Sequence, residues 1–380
     1  MSQESYKEFI CVNKGRSHFG SSIILFAGSD ARVKIAENGL NPVLFDSLVG
    51  ASGGPKWFVL YELDRYLAGS FFSDRLSGSG VPLKTLGSSA GAWRMCCYAM
   101  SEPTLALERL AALYSEEVYS EKPSRTEVTD KARAMLTKVL GSSGIDEVVA
   151  NCQVVSHLVA TRSRGFGSSK FLGAQLALIL LSALGNLFNR RALSLFFERT
   201  VFCTSLLSKE RYEFSEIGTA QVSLNEDNLI EALMATGAIP YILEGVRDIA
   251  GAKKGLFWDG GIVDYHFDCP LNAGDALTLY PHYSADFVPG WFDKALPWRR
   301  VKEHNYSQAL MVCPSLQFVK SLPFGKIPDR KDFEQLDASD RIKYWKKVLA
   351  ESARLAEDFH ELVECGVTHE MIRPFSARSR

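Results

Sequence analysis

A serine flanked by small residues is the clearest candidate in this sequence for a chemically reactive residue. The pentapeptide G-S-S-A-G matches the pattern G-x-S-x-G and selects Ser89, rather than Ser88, as the candidate nucleophile. Gly87, Ala90 and Gly91 permit the tight turn that lifts such a serine above a sheet. Five small residues also form ordinary turns, but the position between a predicted strand and a predicted helix favours the nucleophile interpretation.

A serine hydroxyl is a poor nucleophile at neutral pH and needs a general base. Asp259 follows a short apolar run, Leu256 to Trp258, that predicts a strand, and Gly260 and Gly261 come directly after it. Active-site residues of α/β proteins collect where such strands end. A D-G-G sequence on its own is more often a turn, so the assignment of Asp259 as base depends on its combination with Ser89.

The third candidate element is a glycine-rich loop, G-A-S-G-G-P-K-W at residues 50–57, that leads into a predicted helix near Pro55. Backbone N–H groups at a helix start bind anions, so this loop is a candidate oxyanion hole. The spacings of a P-loop and of a dinucleotide-binding fingerprint are both absent. Ser89 lies about 35 residues downstream, where the next parallel strand would place it beside the loop.

In this order, the loop, the G-S-S-A-G turn and the D-G-G sequence resemble the patatin-like phospholipases, which use a Ser–Asp dyad in place of a triad. The resemblance extends from about residue 22 to 275. It includes A-T-G-A-I-P-Y at residues 235–241 and the later Pro270. The fold it implies is an α/β three-layer sandwich with a mostly parallel central sheet, related to the α/β-hydrolase type.

The resemblance also implies roles for individual residues. Ser89 would attack an ester carbonyl, and Asp259 would accept its proton and later activate water. Gly53 and Gly54 would supply oxyanion N–H donors, and Lys56 would support the loop. No metal or organic cofactor is implied.

The loop departs from the family pattern D-G-G-G-x-R-G. Ala51 and Ser52 stand where the first Asp and Gly are expected, and Lys56 stands where the arginine is expected. Trp57 replaces the final glycine, which indicates a divergent subfamily. The two glycines nearest the helix are kept.

The elements around these residues follow a βαβ layout, because short β-branched runs alternate with helical patterns. Strands are predicted near residues 22–28, 43–45, 83–86, 154–159, 219–224 and 256–258. Helices are predicted near residues 93–100, 225–235 and, capped by Ser339 and Asp340, 339–364. We expect an N-terminal extension at 1–20, a catalytic domain at 21–370 with an apolar helical insertion at about 165–200, and a basic tail at 371–380 that is disordered from Arg373 to Arg380.

The insertion contains 18 residues without a charge, from Phe171 to Phe188. The stretch is just long enough to span a bilayer, but a single crossing would separate Ser89 from Asp259 by a membrane. Two interpretations remain open: a buried core helix, or an apolar flap that makes peripheral contact with a membrane.

Histidines provide the competing assignment of the base, because a Ser-His-Asp triad would use one of them. His266 and His282 follow Asp259 closely but stand in no recognisable triad setting, and a lone histidine is usually structural. Asp264 and Asp268 are weaker candidates, since neither ends a strand or precedes a glycine pair.

Composition restricts the partners. The 43 basic and 44 acidic side chains nearly cancel, so no net field favours nucleic acid. The eight cysteines show no C-x-x-C pair, so we expect neither a disulfide framework nor a zinc site. We therefore expect a reducing, cytoplasmic location, and peripheral contact with a membrane is an open alternative.

The sequence therefore predicts a lipid acyl-ester hydrolase of the phospholipase or lysophospholipase type. Two alternatives stay open. An acyltransferase or thioesterase could use the same dyad, and a non-catalytic lipid-binding protein could keep the fold with the altered loop.

Overall fold

The computed structural model describes residues 22–78, 80–165, 171–207, 212–271 and 274–377. The predicted N-terminal extension at 1–20 lies outside the described residues. One hydrophobic core extends through the described chain from Ile23 to Ile372, and a smaller cluster contains Leu178, Phe197 and Trp258.

Eleven strands are present in the described part of the chain. They are β1 (Ile23–Ala27), β2 (Phe45–Gly50), β3 (Leu83–Ser88), β4 (Val154–Ser163), β5 (Phe197–Cys203), β6 (Thr219–Ser223), β7 (Val246–Arg247), β8 (Leu256–Asp259), β9 (Leu277–Pro281), β10 (Ala309–Pro314) and β11 (Ile372–Pro374). The sheet order is β11-β1-β10-β9-β2-β3-β4-β5-β6, and β8 pairs with both β4 and β7. Most neighbours are parallel, and the antiparallel pairs are β1/β10, β4/β5, β4/β8 and β7/β8.

Helices flank this sheet, which confirms the predicted mixed α/β class with a mostly parallel centre. The α-helices are α1 (Ser29–Asn38), α2 (Tyr61–Tyr66), α3 (Ser73–Leu76), α4 (Ala90–Tyr98), α5 (Pro103–Ser115), α6 (Arg125–Leu140), α7 (Gly144–Ala150), α8 (Leu172–Phe188), α9 (Leu229–Gly237), α10 (Leu316–Ser321), α11 (Asp332–Gln335), α12 (Ala338–Glu351) and α13 (Ala353–Cys365). A π-helical turn covers Leu67–Phe71, and short 3₁₀ helices cover Pro42–Leu44, Gly54–Leu60, Arg190–Leu195, Gly260–Ile262, Trp291–Asp293, Glu303–Tyr306, Pro323–Gly325 and His369–Met371.

The strands predicted near residues 83–86 and 256–258 are confirmed as β3 and β8. The strand predicted near residues 43–45 is shifted, because Pro42–Leu44 form a 3₁₀ helix and β2 begins only at Phe45.

The C-terminal region also differs from expectation. The single helix predicted at 339–364 is two helices, α12 and α13, which meet at Ser352. The cap of α12 is Asp337, whose side chain accepts from the Asp340 N–H. At the junction, the Ser352 hydroxyl accepts from the Glu62 N–H at 3.1 Å, which fixes the bend to another part of the core.

The expected disorder of the basic tail is wrong for its first residues. Ile372–Pro374 form β11, which pairs with β1 in parallel. The Phe375 N–H also donates to the Ala27 carbonyl. Edge pairing therefore orders this part of the tail despite its basic composition.

Most of the described cysteines are buried free thiols. Cys96, Cys97, Cys203, Cys269 and Cys313 are free and buried, and Cys152 is free and exposed. Cys365, however, is disulfide-bonded, which the sequence did not predict.

The apolar helix α8 is not a buried core helix, which corrects one of the two interpretations above. Its buried residues are the polar Gln175, Ser182 and Asn186 together with Leu178. Most of its other leucines are exposed, as are Phe171 and Phe188. Among the described residues, no helix is both long and apolar enough to cross a membrane.

Candidate active site

Two strands meet end to end on one side of β4 and bring the candidate dyad together. β3 runs parallel to β4 and ends with Ser88 opposite Val159. β8 runs antiparallel to β4 and ends with Asp259 opposite Ala160, the next residue. The carboxyl ends of β3 and β8 therefore face each other, and Ser89 emerges beside Asp259.

Ser89 occupies a sharp turn between β3 and α4. Its backbone has φ 57° and ψ −134°, a conformation that costs a non-glycine residue about 1–3 kcal/mol. Close contacts explain the neighbouring glycines: a Cβ on Gly87 would lie 2.4 Å from the Ala92 Cα, and one on Gly91 would lie 2.0 Å from the Gly50 carbonyl oxygen. The small residues of G-S-S-A-G thus serve the turn that the sequence predicts.

The two candidate catalytic side chains are hydrogen-bonded. The Ser89 Oγ donates to the Asp259 Oδ2 at 2.8 Å, and the Gly261 N–H donates to the Asp259 Oδ1 at 2.7 Å. Both side chains are buried. Burial raises the pKa of Asp259, while the positive charge of Arg330 and these two hydrogen bonds oppose the rise.

Thr236 is a positioning residue at this site that the sequence reasoning missed. Its Oγ1 accepts from the Ser89 N–H at 2.9 Å and donates to the Val159 carbonyl at 2.5 Å. The Ser89 N–H is therefore occupied and is not a free oxyanion donor. The A-T-G-A-I-P-Y stretch contained the only local signal, since Thr236 follows the small residues at the end of α9.

The glycine-rich loop reaches the site from the end of β2. Gly54 lines a cavity together with Ser89, and the N–H groups of Gly53 and Gly54 donate to no group in the described chain. Gly54 has φ 56°, which favours glycine. Both N–H groups are thus without a partner in the described chain, and of the two glycines Gly54 lines the cavity.

Ser52 is hydrogen-bonded through its side chain and its backbone. Its hydroxyl donates to the Ser88 Oγ at 2.9 Å, its N–H donates to the Tyr265 carbonyl, and its carbonyl accepts from the Tyr283 hydroxyl at 2.6 Å. Ser52 therefore ties the loop to β3.

The glycines after Asp259 are required by packing. A Cβ on Gly260 would lie 2.1 Å from the Val159 carbonyl oxygen, and a Cβ on Gly261 would lie 2.7 Å from the Ser52 Oγ. D-G-G is therefore a packed part of the site rather than a surface turn.

Lys56 does not line the cavity. Its ammonium pairs with the Asp329 Oδ2 at 3.3 Å and lies 5.4 Å from the centre of the Tyr283 ring. It therefore supports the loop from outside.

Within the described chain, no histidine hydrogen-bonds to Ser89 or Asp259. The His266 Nδ1 accepts from the Val288 N–H at 3.0 Å, so its Nε2 carries the proton and donates to the Tyr283 hydroxyl at 2.8 Å. Burial lowers the pKa of His266 well below its usual range and that of His282 to about 3. Both remain neutral in structural positions.

The other two candidate acids also have structural partners. Asp264 forms a buried ion pair with Arg199, whose Nη2 donates to its Oδ1 at 2.8 Å. The Asp268 Oδ1 accepts from the Lys302 N–H and the Asn305 side chain. Over the part of the chain that the structure describes, no cluster of His, Cys, Asp or Glu could hold a metal ion.

A cavity of about 850 Å³ opens beside Ser89. Its wall includes the buried apolar side chains Trp93, Val128, Ala132 and Met135. Its lining also contains Arg330, which borders a smaller pocket containing Asp259 as well. No sequence motif marked this arginine.

A search against family models matches residues 81–266 to the patatin-like phospholipases, just under half of the chain. This part of the chain is therefore similar to a patatin-like phospholipase domain. The match contains Ser89, Thr236 and Asp259, whereas the glycine-rich loop and Arg330 lie outside it. Neither the comparison with curated proteins nor that with solved structures found a match.

Proposed function

We propose that the protein is a lipid acyl-ester hydrolase of the phospholipase or lysophospholipase type that works through an acyl-enzyme on Ser89. The observation that carries this proposal is the 2.8 Å hydrogen bond from Ser89 to Asp259 at the edge of a cavity whose wall is partly apolar. The patatin-like domain supplies the substrate class.

In the proposed reaction, Asp259 accepts the Ser89 proton as the Oγ attacks the ester carbonyl. The negative charge on the carbonyl oxygen is stabilised by the free N–H groups of Gly53 and Gly54. Collapse of this intermediate expels the alcohol, which takes the proton from Asp259 and leaves the acyl group on Ser89. A water molecule, deprotonated by Asp259, then attacks the acyl-enzyme. Asp259 returns this proton to the Ser89 Oγ as the ester bond to Ser89 breaks and the fatty acid is released.

The size and the lining of the cavity favour a long apolar acyl group as the part of the substrate that binds there. Its volume lies within the range of small-molecule sites, and its inner wall of Trp93, Val128, Ala132 and Met135 is apolar. Burial of the acyl chain there would provide the binding energy.

Helix α8 supports peripheral contact with a lipid surface. Leu180 and Leu184 are 55% and 57% exposed, and they belong to a face that also contains Leu172, Leu176, Leu187 and Phe188. An exposed apolar face of this size fits an interfacial helix. Its polar side is fixed, because the Asn186 amide donates to the Asp293 Oδ1 at 2.8 Å and Arg190 pairs with the Asp293 Oδ2.

Covalent labelling by a fluorophosphonate tests the nucleophile. We expect Ser89→Ala to abolish labelling and ester hydrolysis, whereas Ser88→Ala, the matched control, keeps most of both. The reverse result would show that the assignment of the nucleophile is wrong. A wild-type protein that binds lipid but is not labelled would instead be a non-catalytic lipid-binding protein.

Asp259→Asn tests the base. An amide cannot accept the serine proton, so we expect a loss as large as that of Ser89→Ala, and little further loss in the double variant, because both residues act as one unit. Asparagine can keep the hydrogen bonds and removes a buried charge, so the melting temperature should not fall. An active Asp259→Asn combined with an inactive His266→Ala would establish a triad.

Membrane contact is tested with Leu180→Asp combined with Leu184→Asp. Both positions are exposed, so the fold should be unaffected, while sedimentation with phospholipid vesicles and hydrolysis of vesicle lipid should fall. Hydrolysis of a soluble short-chain ester should stay within about twofold of wild type. Unchanged vesicle binding would remove α8 as the contact surface.

A further inference from the structure

Three arginines line the main cavity, and two of them are engaged with the protein. Arg125 donates to the Leu243 carbonyl at 2.8 and 3.1 Å. Arg341 donates to the Glu117 carbonyl and lies over the Trp345 ring. The Arg330 guanidinium forms neither a hydrogen bond nor an ion pair with any residue of the described chain.

Arg330 lies directly at the candidate oxyanion loop. Its Nε is 2.7 Å from the point that a Cβ on Gly54 would occupy. It lines both the cavity next to Ser89 and the small pocket next to Asp259, and its charge acts on the pKa of Asp259. An unpaired cation thus lies where the acyl cavity reaches the dyad.

The turn that presents Arg330 is anchored on both sides. Asp329 pairs with Lys56 of the loop, and its N–H donates to the Asp332 Oδ2 at 2.8 Å. Asp332 is fully buried and also accepts from the Trp345 indole at 3.0 Å. The guanidinium is therefore held at the site by a built turn rather than by a free surface loop.

We propose that Arg330 binds the phosphate of a glycerophospholipid whose ester carbonyl lies at Ser89, so that the site favours phosphate-bearing esters over neutral acylglycerols. The inference rests on the proposed function and specifies its substrate class. The phosphate and ester carbonyls of a glycerophospholipid are only a few bonds apart, which matches a cation beside the dyad. A guanidinium is suited to phosphate because it can donate two parallel hydrogen bonds.

The test compares two soluble substrates with the same acyl chains, dihexanoylphosphatidylcholine and dihexanoylglycerol, both as monomers so that membrane docking has no part. At a pH above the acid limb of both the wild-type and the variant profiles, we expect Arg330→Gln to lower kcat/KM for the phospholipid by about tenfold or more, mainly through KM, and for the neutral ester by less than about twofold. Arg330→Lys, which keeps the charge but loses the paired donors, should fall in between.

Lys331→Gln is the matched control, since this neighbouring cation is exposed and does not line either pocket. This variant should leave kcat/KM unchanged for both substrates. An equal loss of kcat/KM on both substrates in Arg330→Gln would overturn the proposal, because Arg330 would then act on the oxyanion or on the dyad. An unchanged kcat/KM on both substrates would also overturn it. A wild-type enzyme that prefers the neutral ester would contradict it directly. Hydrolysis of neither ester by wild type would count against the proposed function instead. The unfolding midpoint of Arg330→Gln checks that the fold is kept, and if it is not, the Arg330→Lys ratio decides.

Discussion

Helices α4 and α8 differ in a way that hydropathy does not explain. Every residue of α4 is buried, including Arg94, although this helix carries a full charge. α8 has no charged residue, yet most of its leucines are exposed and its polar side chains are buried. Position in the fold, rather than composition, determines which of the two helices is enclosed.

Specific partners account for both outcomes. In α4, the Arg94 Nε and Nη2 donate to the two Asp64 oxygens at 2.7 Å, and the Tyr98 hydroxyl donates to the Asp64 carbonyl at 3.1 Å. In α8, Gln175, Leu178, Ser182 and Asn186 recur every three or four residues and so share one face. Asp293 binds the end of that face through Asn186. A buried charge or amide is tolerated in each helix because a partner is in place.

The largest expected effect on stability is at α4. Arg94→Met leaves Asp64 buried without its cation, so we expect a loss of about 3–5 kcal/mol in the free energy of unfolding, measured by urea denaturation. Replacing both residues, Arg94→Met with Asp64→Leu, should restore most of the loss. A single variant as stable as wild type would show that Asp64 is not charged in the folded protein.

Two neighbouring leucines of α8 should respond in opposite ways to the same substitution. Leu178 is 2% exposed and packs in the smaller cluster, so Leu178→Asp should destabilise the protein by at least about 2 kcal/mol. Leu180→Asp should stay within about 0.5 kcal/mol of wild type. Urea unfolding of both variants measures the difference, and equal losses would mean that α8 packs on its apolar face instead.

A substitution that makes α8 more apolar should also lower the free energy of unfolding of the protein. Asn186→Leu removes the donor to the buried Asp293, which should cost about 1–3 kcal/mol. The reverse change at an exposed position, Leu184→Asn, is the control and should be nearly neutral. A more stable Asn186→Leu would contradict the anchoring of α8 through Asp293.

The smallest expected effect comes from the charge of Arg330 on the pKa of Asp259. Asp259 must be deprotonated to act as a base, so activity falls as the pH drops through its pKa, which burial raises. Arg330 lowers that pKa, so Arg330→Gln should move the acid limb of the kcat/KM profile for a neutral ester to higher pH. Lys331→Gln should leave the limb in place, and a shift to lower pH in Arg330→Gln would contradict the argument.

Local patterns in the sequence were sufficient to predict the strands and turns that carry Ser89 and Asp259. G-S-S-A-G and D-G-G are short, and each sits at a strand end that apolar runs predict. Gly87 is fixed by a contact with the nearby Ala92, whereas Gly260 and Gly261 are fixed by contacts with the distant Val159 and Ser52. The motifs therefore located these glycines, but the sequence did not show what they contact.

The roles of Thr236, Arg330 and α8 depend on contacts between distant parts of the chain. Thr236 lies 147 residues from Ser89, and Asn186 lies 107 residues from Asp293. No periodicity within a segment reports such a partner, so the run of leucines left a buried helix and an exposed flap both open. The turn that holds Arg330 likewise depends on Lys56 and Trp345, which no local motif connects.

The pairing of β1 has a consequence for the timing of folding during synthesis. Its neighbours in the sheet are β10 and β11. β10 lies almost 300 residues further toward the C-terminus, and β11 lies further still. A ribosome produces about 5–20 residues per second, so β1 emerges many seconds before either partner exists. During that interval its apolar sequence I-I-L-F-A has no sheet to join, so β1 can take its place in the sheet only after β10 and β11 have been made.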